Sequence, residues 1–155
     1  MRVDERGEVL SARESPKRGT VVEVFDKLIA FPSLLTHPNL TVEVLLVAED
    51  HIRAAGPVTV RRRTRDPGER RLQEVIARVE LYGAEDVMRA LPALPAQPFS
   101  TRELASLLGC SLLLAQRTAY SLRAINLIEA AGKRGRTPLH RLSSPAAGEI
   151  EPGVR

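Results

Sequence analysis

The clearest pattern of hydrophobic and polar positions lies between residues 99 and 142, where it predicts two short helices followed by a β-hairpin. Leu104, Leu107 and Leu108 lie three and four residues apart, as one apolar stripe of a helix requires. Ser100, with a glutamate three residues later, has the capping-box pattern of a helix start. A glycine follows the last leucine directly, where a left-handed residue ends a helix.

A second helix is predicted to begin at Ser111 and to end at Asn126, since asparagine is the non-glycine residue that best tolerates the left-handed backbone. Its inward face consists of small and aliphatic side chains at helical spacing: Ala115, Thr118, Ala119, Leu122 and Ile125. The small residues on this face allow the two helices to cross closely.

Two strands are predicted after the second helix, at 127–131 and 137–142, joined by a glycine-containing turn at 132–136. Leu139 is predicted to face inward. Because Pro138 has no backbone N–H, the returning strand is expected to be an edge strand or to be interrupted there.

A helix is also predicted at 84–91, ahead of a proline-rich connector at 92–98. Three helices followed by a hairpin with a basic tip resemble the winged helix-turn-helix superfamily, and the resemblance covers residues 84–142. The span from Gly109 to Asn126 is the one that such proteins commonly use between the turn glycine and the residue that closes the third helix. The resemblance implies a nucleic-acid-binding fold in which the third helix and the wing contact DNA.

The upstream half alternates short helical and extended segments, with a hairpin at 1–13, a helix at 20–29, a helical turn at 31–35 and strands at 40–47 and 58–63. The Asp-Pro-Gly-Glu run at 66–69 has the residues of a helix start, and the segment behind it is predicted to be a helix that turns to strand near Val79. A lone hairpin is marginal in water. The hairpin at 1–13 is therefore interpreted as the tail of a larger sheet upstream of Met1, or as an edge that pairs with a partner.

These elements predict the α+β class, with a small mixed N-terminal region followed by a winged helix-turn-helix domain. The predicted divisions are a hairpin and linker at 1–19, an α+β region at 20–83, the winged domain at 84–142 and a disordered tail at 143–155. The run THPNLTVEVLL, with the residues around it, resembles an uncharacterised bacterial family of unknown function over most of the chain. That resemblance implies no established activity.

The positive charge is concentrated on the predicted winged domain. Residues 84–142 contain eight basic and four acidic residues, a net charge of +4, whereas 1–83 contain fourteen basic and thirteen acidic residues, a net charge of +1. A basic excess confined to one module is typical of a domain that binds a polyanion. We expect duplex DNA as the partner.

Seven residues are predicted to contact nucleic acid: Gln116, Arg117, Tyr120, Arg123, Lys133, Arg134 and Arg136. Glutamine and arginine on the third helix can pair with adenine and guanine edges, which gives Gln116 and Arg117 that role. Tyr120 and Arg123 are expected at phosphates, as are the three basic residues of the hairpin tip. The alternative for the tip is an ordinary solvated turn.

The third helix departs from the pattern of a base-reading helix because it begins with leucines. Leu112 and Leu113 are expected to be at least partly exposed, and exposed leucines suit a protein contact better than base readout. The alternative function is therefore a protein-interaction or dimerisation module, whose partner is an upstream domain or a second copy.

No pattern indicates an enzyme, a cofactor, a metal site or a membrane span. Cys110 is the single cysteine, so an intramolecular disulfide and a cysteine cluster for zinc are excluded. Glu43, Glu49 and Asp50 lack the nearby lysine that a metal-dependent nuclease would place beside them. The densest basic run, at 61–65, is interpreted as a charged edge strand or as a second phosphate contact. The expected location is the cytoplasm.

Overall fold

The computed structural model describes residues 1–3, 6, 8–16, 18–54 and 69–143. Its strands and α-helices, in chain order, are β1 (Arg2–Val3), β2 (Val9–Ser11), α1 (Val24–Lys27), β3 (Val42–Ala54), β4 (Glu69–Leu81), α2 (Ala84–Arg89), β5 (Phe99–Ser100), α3 (Thr101–Leu108), α4 (Leu112–Ala124), β6 (Ile128–Arg134) and β7 (Thr137–Leu142). Two 3₁₀ turns, Val21–Glu23 and Pro32–Thr36, flank α1. The chain is of the α+β class, as the sequence predicts.

The described residues group into two compact units. The first unit contains those of 1–20 and 43–79, and the second contains Val21–Val42 with those from Glu80 onwards. The helical segment 21–36 therefore belongs to the unit that holds the C-terminal helices.

A four-stranded sheet, in the order β2-β1-β3-β4, organises the first unit. Strands β1 and β2 are antiparallel, which confirms the hairpin predicted at 1–13. Strand β1 also pairs in parallel with β3, and the amino group of Met1 donates a hydrogen bond to the carbonyl oxygen of His51 at 2.8 Å. The hairpin is thus joined to a sheet within this chain.

Strand β4 corrects the prediction of a helix behind the Asp-Pro-Gly-Glu run. Every residue from Glu69 to Leu81 is extended, although Leu72, Val75, Ile76 and Val79 also fit helical spacing. The same segment also has apolar residues at every second position, Val75, Ala77, Val79 and Leu81, and this alternation is the one that the strand follows. A strand is stabilised by hydrogen bonds to a neighbouring strand, and the local sequence pattern does not show whether such a neighbour is present. The strand predicted at 58–63, the residues 66–68, the basic run at 61–65 and the tail beyond residue 143 lie outside the described residues.

The helical segment at the start of the second unit is shorter than predicted. Only Val24–Lys27 is α-helical, although the segment is helical in kind as expected. Three β-branched valines near its start lower its helix propensity. Its apolar side chains are nevertheless buried, with Val22, Phe25 and Leu35 at most 6% exposed. This segment packs against α4.

The caps predicted for α3 and α4 are confirmed. Ser100 Oγ accepts a hydrogen bond from the backbone N–H of Glu103 while the Glu103 carboxylate accepts one from the backbone N–H of Ser100, which completes the capping box. Gly109 ends α3 with a φ of +60°, and Asn126 has a φ of +59° behind α4. The predicted inward residues of α4, Ala115, Thr118, Ala119, Leu122 and Ile125, are all buried.

The C-terminal hairpin turns later than predicted. Strand β6 continues to Arg134, and Gly135 (φ +63°) and Arg136 form a two-residue turn. The register shifts between Ala130 and Lys133, so Gly132 (φ +85°) lies at a bulge within the strand instead of in the turn.

The small sheet has the order β5-β7-β6, which makes β7 the central strand. Pro138 is tolerated because β5 pairs only with Leu139 and His140 of β7, so the β5 side is open at the proline.

Candidate nucleic-acid interface

Helix α4 has one exposed face, because its other faces are used for packing. Ala115, Ala119 and Leu122 are buried, and so are Thr118 and Ser121. The exposed residues lie at helical spacing between these positions: Leu112, Leu113, Gln116, Tyr120, Arg123 and Ala124. Three predicted contact residues, Gln116, Tyr120 and Arg123, therefore share an open surface.

Arg117 is not on that surface. Its guanidinium forms an ion pair with the carboxylate of Asp26, a residue of α1 that lies 91 positions earlier in the chain. Both side chains are only 36% exposed. The pair fastens segment 21–36 to α4, which removes Arg117 from the side chains available for base edges unless the pair opens.

Arg134 is also held by a carboxylate. Its Nη1 lies 3.0 Å from Glu103 Oε1, and its Nη2 donates to the carbonyl oxygen of Pro98 at 3.3 Å. The Ser100 backbone N–H, as the largest cause, and the Arg134 guanidinium together lower the pKa of Glu103 from 4.5 to about 2. Arg134 thus ties the hairpin to the start of α3, a role that the sequence did not indicate.

Lys133 and Arg136 point into solvent. Lys133 lies in β6 beside the bulge, and Arg136 occupies the turn. Neither side chain has a carboxylate partner among the residues that the structure describes. Of the three basic residues predicted for the tip, these two remain available for phosphate contact.

All four acidic residues of the region 84–142 are used in ion pairs. Glu85 and Asp86 form ion pairs with Arg89, Glu103 with Arg134, and Glu129 with Arg141. Arg117 is paired from outside the region by Asp26. Four exposed cations have no carboxylate partner within the described chain: Arg102, Arg123, Lys133 and Arg136.

Arg102 is the residue that sequence reasoning missed. It lies in the first turn of α3, next to Glu103, and Lys133 is likewise next to Arg134. The Glu103–Arg134 ion pair therefore joins the direct sequence neighbours of Arg102 and Lys133. The signal in the sequence was an arginine in the first turn of a helix, where the helix dipole favours acidic residues instead.

A shallow groove of about 390 Å³ separates α4 from β6. It is lined by Tyr120, Arg123, Ala124, Asn126, Ile128, Glu129 and Ala130. Arg123 is its only cation, and the carboxylate of Glu129 is already bound by Arg141 at 2.7 Å. The groove thus offers one unpaired guanidinium and one phenol to an anionic group.

His140 is a buried packing residue of β7. Its Nε2 lies 3.3 Å from Thr101 Oγ1, its ring contacts Phe99, and its Nδ1 is buried without a hydrogen-bond partner. Burial, and secondarily the charge of Arg123, lower the pKa of the imidazole. Both effects disfavour the protonated form of the imidazole inside the fold.

The part of the chain that the structure describes has no side-chain arrangement suited to metal binding or to a reactive thiol. No three His, Cys, Asp or Glu side chains come together there. Cys110 is half-buried at the α3–α4 turn, and burial raises the pKa of its thiol. A raised thiol pKa disfavours the thiolate that a nucleophile needs.

Comparison with known families gives one match. Residues 1–82 match the family described as "Domain of unknown function (DUF8091)". The chain belongs to this family. The matching segment includes the four-stranded sheet and segment 21–36, and it stops before α2, so the cationic surface described above lies outside it. Searches of curated proteins and of solved structures give no match.

The family match supports the predicted resemblance to a family of unknown function, over about the first half of the chain. It carries no information on the winged helix-turn-helix resemblance of 84–142. Within the described residues, no helix has the length and apolarity to cross a membrane.

Proposed function

We propose that residues 84–142 form a winged helix-turn-helix module that binds duplex DNA mainly through its phosphates. The order of elements supports the fold: three helices, a short strand before α3, and a hairpin whose returning strand lies in the centre of a three-stranded sheet. In such modules the third helix and the wing contact DNA. Here these are α4 and the β6–β7 hairpin.

The proposal rests mainly on the positive charge that remains after every carboxylate of residues 84–142 has formed an ion pair. Arg102, Arg123, Lys133 and Arg136 are exposed on α3, α4 and the hairpin, and none is neutralised by a described residue. Unpaired cations release counterions from DNA when they meet phosphates, and this is the main source of sequence-independent affinity. Cations that are already paired contribute much less.

Base readout is limited in this proposal. Arg117 is engaged by Asp26, so Gln116 is the one of the two side chains predicted for base edges that remains on the exposed α4 face. Tyr120 can donate its hydroxyl to a phosphate. The protein would then act as a transcriptional regulator or a DNA-associated accessory protein of bacterial type, with weak sequence preference. A cytoplasmic location, where such a protein meets DNA, is part of the proposal.

The test compares unpaired with paired cations by fluorescence anisotropy on a short labelled duplex. The variant Arg123→Ala/Lys133→Ala/Arg136→Ala should bind roughly 10- to 150-fold more weakly than the wild type, which corresponds to about 0.5 to 1 kcal/mol per lost phosphate contact. The matched control, Arg89→Ala/Arg141→Ala, also removes positive charge and should bind within about threefold of the wild type. Equal losses in both variants would contradict the proposal.

A second candidate is a protein-interaction module, favoured by the exposure of Leu112 (43%) and Leu113 (57%). These adjacent leucines begin the exposed α4 face and could bury against another protein. The variant Leu113→Asp separates the candidates. It should leave anisotropy with DNA nearly unchanged if the leucines serve a protein partner, whereas Gln116→Ala should alter DNA binding only if α4 enters the groove.

A further inference from the structure

Arg117 lies at the border between the exposed face of α4 and its buried side. Leu113 and Tyr120, four positions before it and three after it, are exposed, whereas Ser121, four positions after it, is buried. Residues three and four apart are neighbours on a helix surface, so the side chain of Arg117 begins beside both surfaces. Its guanidinium is directed to segment 21–36, where Asp26 of α1 supplies a carboxylate.

Apolar burial, in addition to this ion pair, holds segment 21–36 in place. Val22, Phe25 and Leu35 are buried, and the segment packs against α4 within the second unit. Burial of three large apolar side chains stabilises such a contact more than one partly exposed ion pair does. Asp26 follows Phe25 directly in the chain, so the packing of the segment keeps the carboxylate beside Arg117.

The carboxylate of Asp26 occupies a guanidinium that a DNA phosphate could otherwise bind. Arginine recognises carboxylate and phosphate oxygens through the same N–H donors, so the two anions compete for it. Lys27 is the other cation near Asp26, with its Nζ 3.7 Å from Oδ2 and its side chain 81% exposed. The negative charge of Asp26 also opposes the approach of a polyanion to this edge of α4.

We propose that Asp26 restrains DNA binding by keeping Arg117 from the phosphates of the duplex. This inference rests on the proposed function and adds a regulatory contact to it. Arg117 is then a fifth cation beside the four unpaired ones, and it is withheld while segment 21–36 is docked. The restraining residue lies in the family-matched segment 1–82, and the restrained residue lies outside it. The family-matched segment thus contains an autoinhibitory element for the module behind it.

The test is a double-mutant cycle of duplex binding, measured by fluorescence anisotropy over a range of salt concentrations. Asp26→Asn removes the negative charge with little change of shape. It should bind roughly two- to fivefold more tightly than the wild type, the effect of one added phosphate contact. Its salt dependence should steepen by about 0.9, the value for one further phosphate. In an Arg117→Ala background the same substitution should change affinity by less than about 1.5-fold and leave the slope unchanged.

Two further variants control for shape and folding. Asp26→Glu keeps a carboxylate at the position and should bind DNA as the wild type does. If circular dichroism shows that Asp26→Asn does not fold, Asp26→Ala takes its place with the same expected gain. Alanine favours the helix, and position 26 is partly exposed, so this replacement creates no buried unpaired group.

Three results would overturn the restraint, and they differ in what they say about DNA binding. A folded Asp26→Asn protein with unchanged affinity and slope would refute the restraint and leave the proposed function in place. A gain that persists in the Arg117→Ala background would also refute it, because Lys27 or the lost charge of Asp26 would then account for the gain. If neither the wild type nor Asp26→Asn binds the duplex at low salt, the proposed function fails together with the restraint.

Discussion

Single side chains illustrate both what the sequence predicts and what it does not. The capping residues Ser100 and Ser111 and the left-handed Asn126 act locally, within three residues of their own position, and the structure places each as the sequence indicates. Asp26 and Arg117 are 91 residues apart, and no local rule pairs them. The same limit applies to Glu103 and Arg134. These long-range pairs decide which basic residues remain free, so the candidate site was only partly predictable.

The buried imidazole of His140 predicts a pH-dependent stability. Its pKa is lowered in the fold, so the unfolded chain binds the proton at a higher pH than the folded chain does. The stabilisation is complete above the usual pKa of about 6.5 and is lost as the pH falls toward the folded value. Urea unfolding should show the wild type losing more stability between about pH 7 and pH 5 than His140→Phe does. Parallel pH profiles for the two proteins would show that the imidazole is not responsible.

The carboxylate of Glu103 predicts a second, more acidic transition. Its pKa falls from 4.5 to about 2 on folding, so its contribution is present above pH 4.5 and is lost as the pH falls toward 2. The urea unfolding midpoints of the wild type and Glu103→Gln should therefore differ most at neutral pH and converge as the pH approaches 2. If the two midpoints still differ by the same amount near pH 2, ionisation of Glu103 is not the cause of the difference.

At the scale of elements, sequence patterns succeed where burial and periodicity agree. Helix α4 buries the predicted face, and α3 has both predicted ends. Strand β4 was predicted wrongly because its aliphatic residues fit both the helical spacing and the alternation of a strand. Which of the two structures forms depends on pairing with β3, and this pairing is not encoded in the local sequence. The bulge at Gly132 explains why the turn was predicted too early, since a glycine with positive φ suits either a bulge or a turn.

The capping box of α3 predicts the cost of losing one cap. Replacing Ser100 by alanine removes the acceptor of the Glu103 backbone N–H and should destabilise the fold by about 1 kcal/mol. Ser106 is a matched control in the same helix, since its exposed hydroxyl only donates to the carbonyl oxygen of Arg102. Ser106→Ala should change the unfolding free energy by less than about 0.5 kcal/mol. Equal losses of unfolding free energy in the two variants would show that the Ser100 cap does not stabilise α3.

On the scale of the whole molecule, the proposed DNA contacts lie in the second unit. The first unit lies within the family-matched segment, whereas the second unit has the unpaired cations of α3, α4 and the wing. Composition already indicated this role for the second unit, because a net charge of +4 falls within residues 84–142. It did not show which four of the eight basic residues there remain unpaired.

The salt dependence of duplex binding tests the central claim most directly. If Arg102, Arg123, Lys133 and Arg136 meet phosphates, the logarithm of the binding constant should fall with the logarithm of salt concentration with a slope of about −3 to −4. Removing Arg123, Lys133 and Arg136 should flatten that slope by about 0.9 per residue, while Arg89→Ala/Arg141→Ala leaves it unchanged. A slope near zero in the wild type, or one that the triple variant does not alter, would contradict binding through these cations.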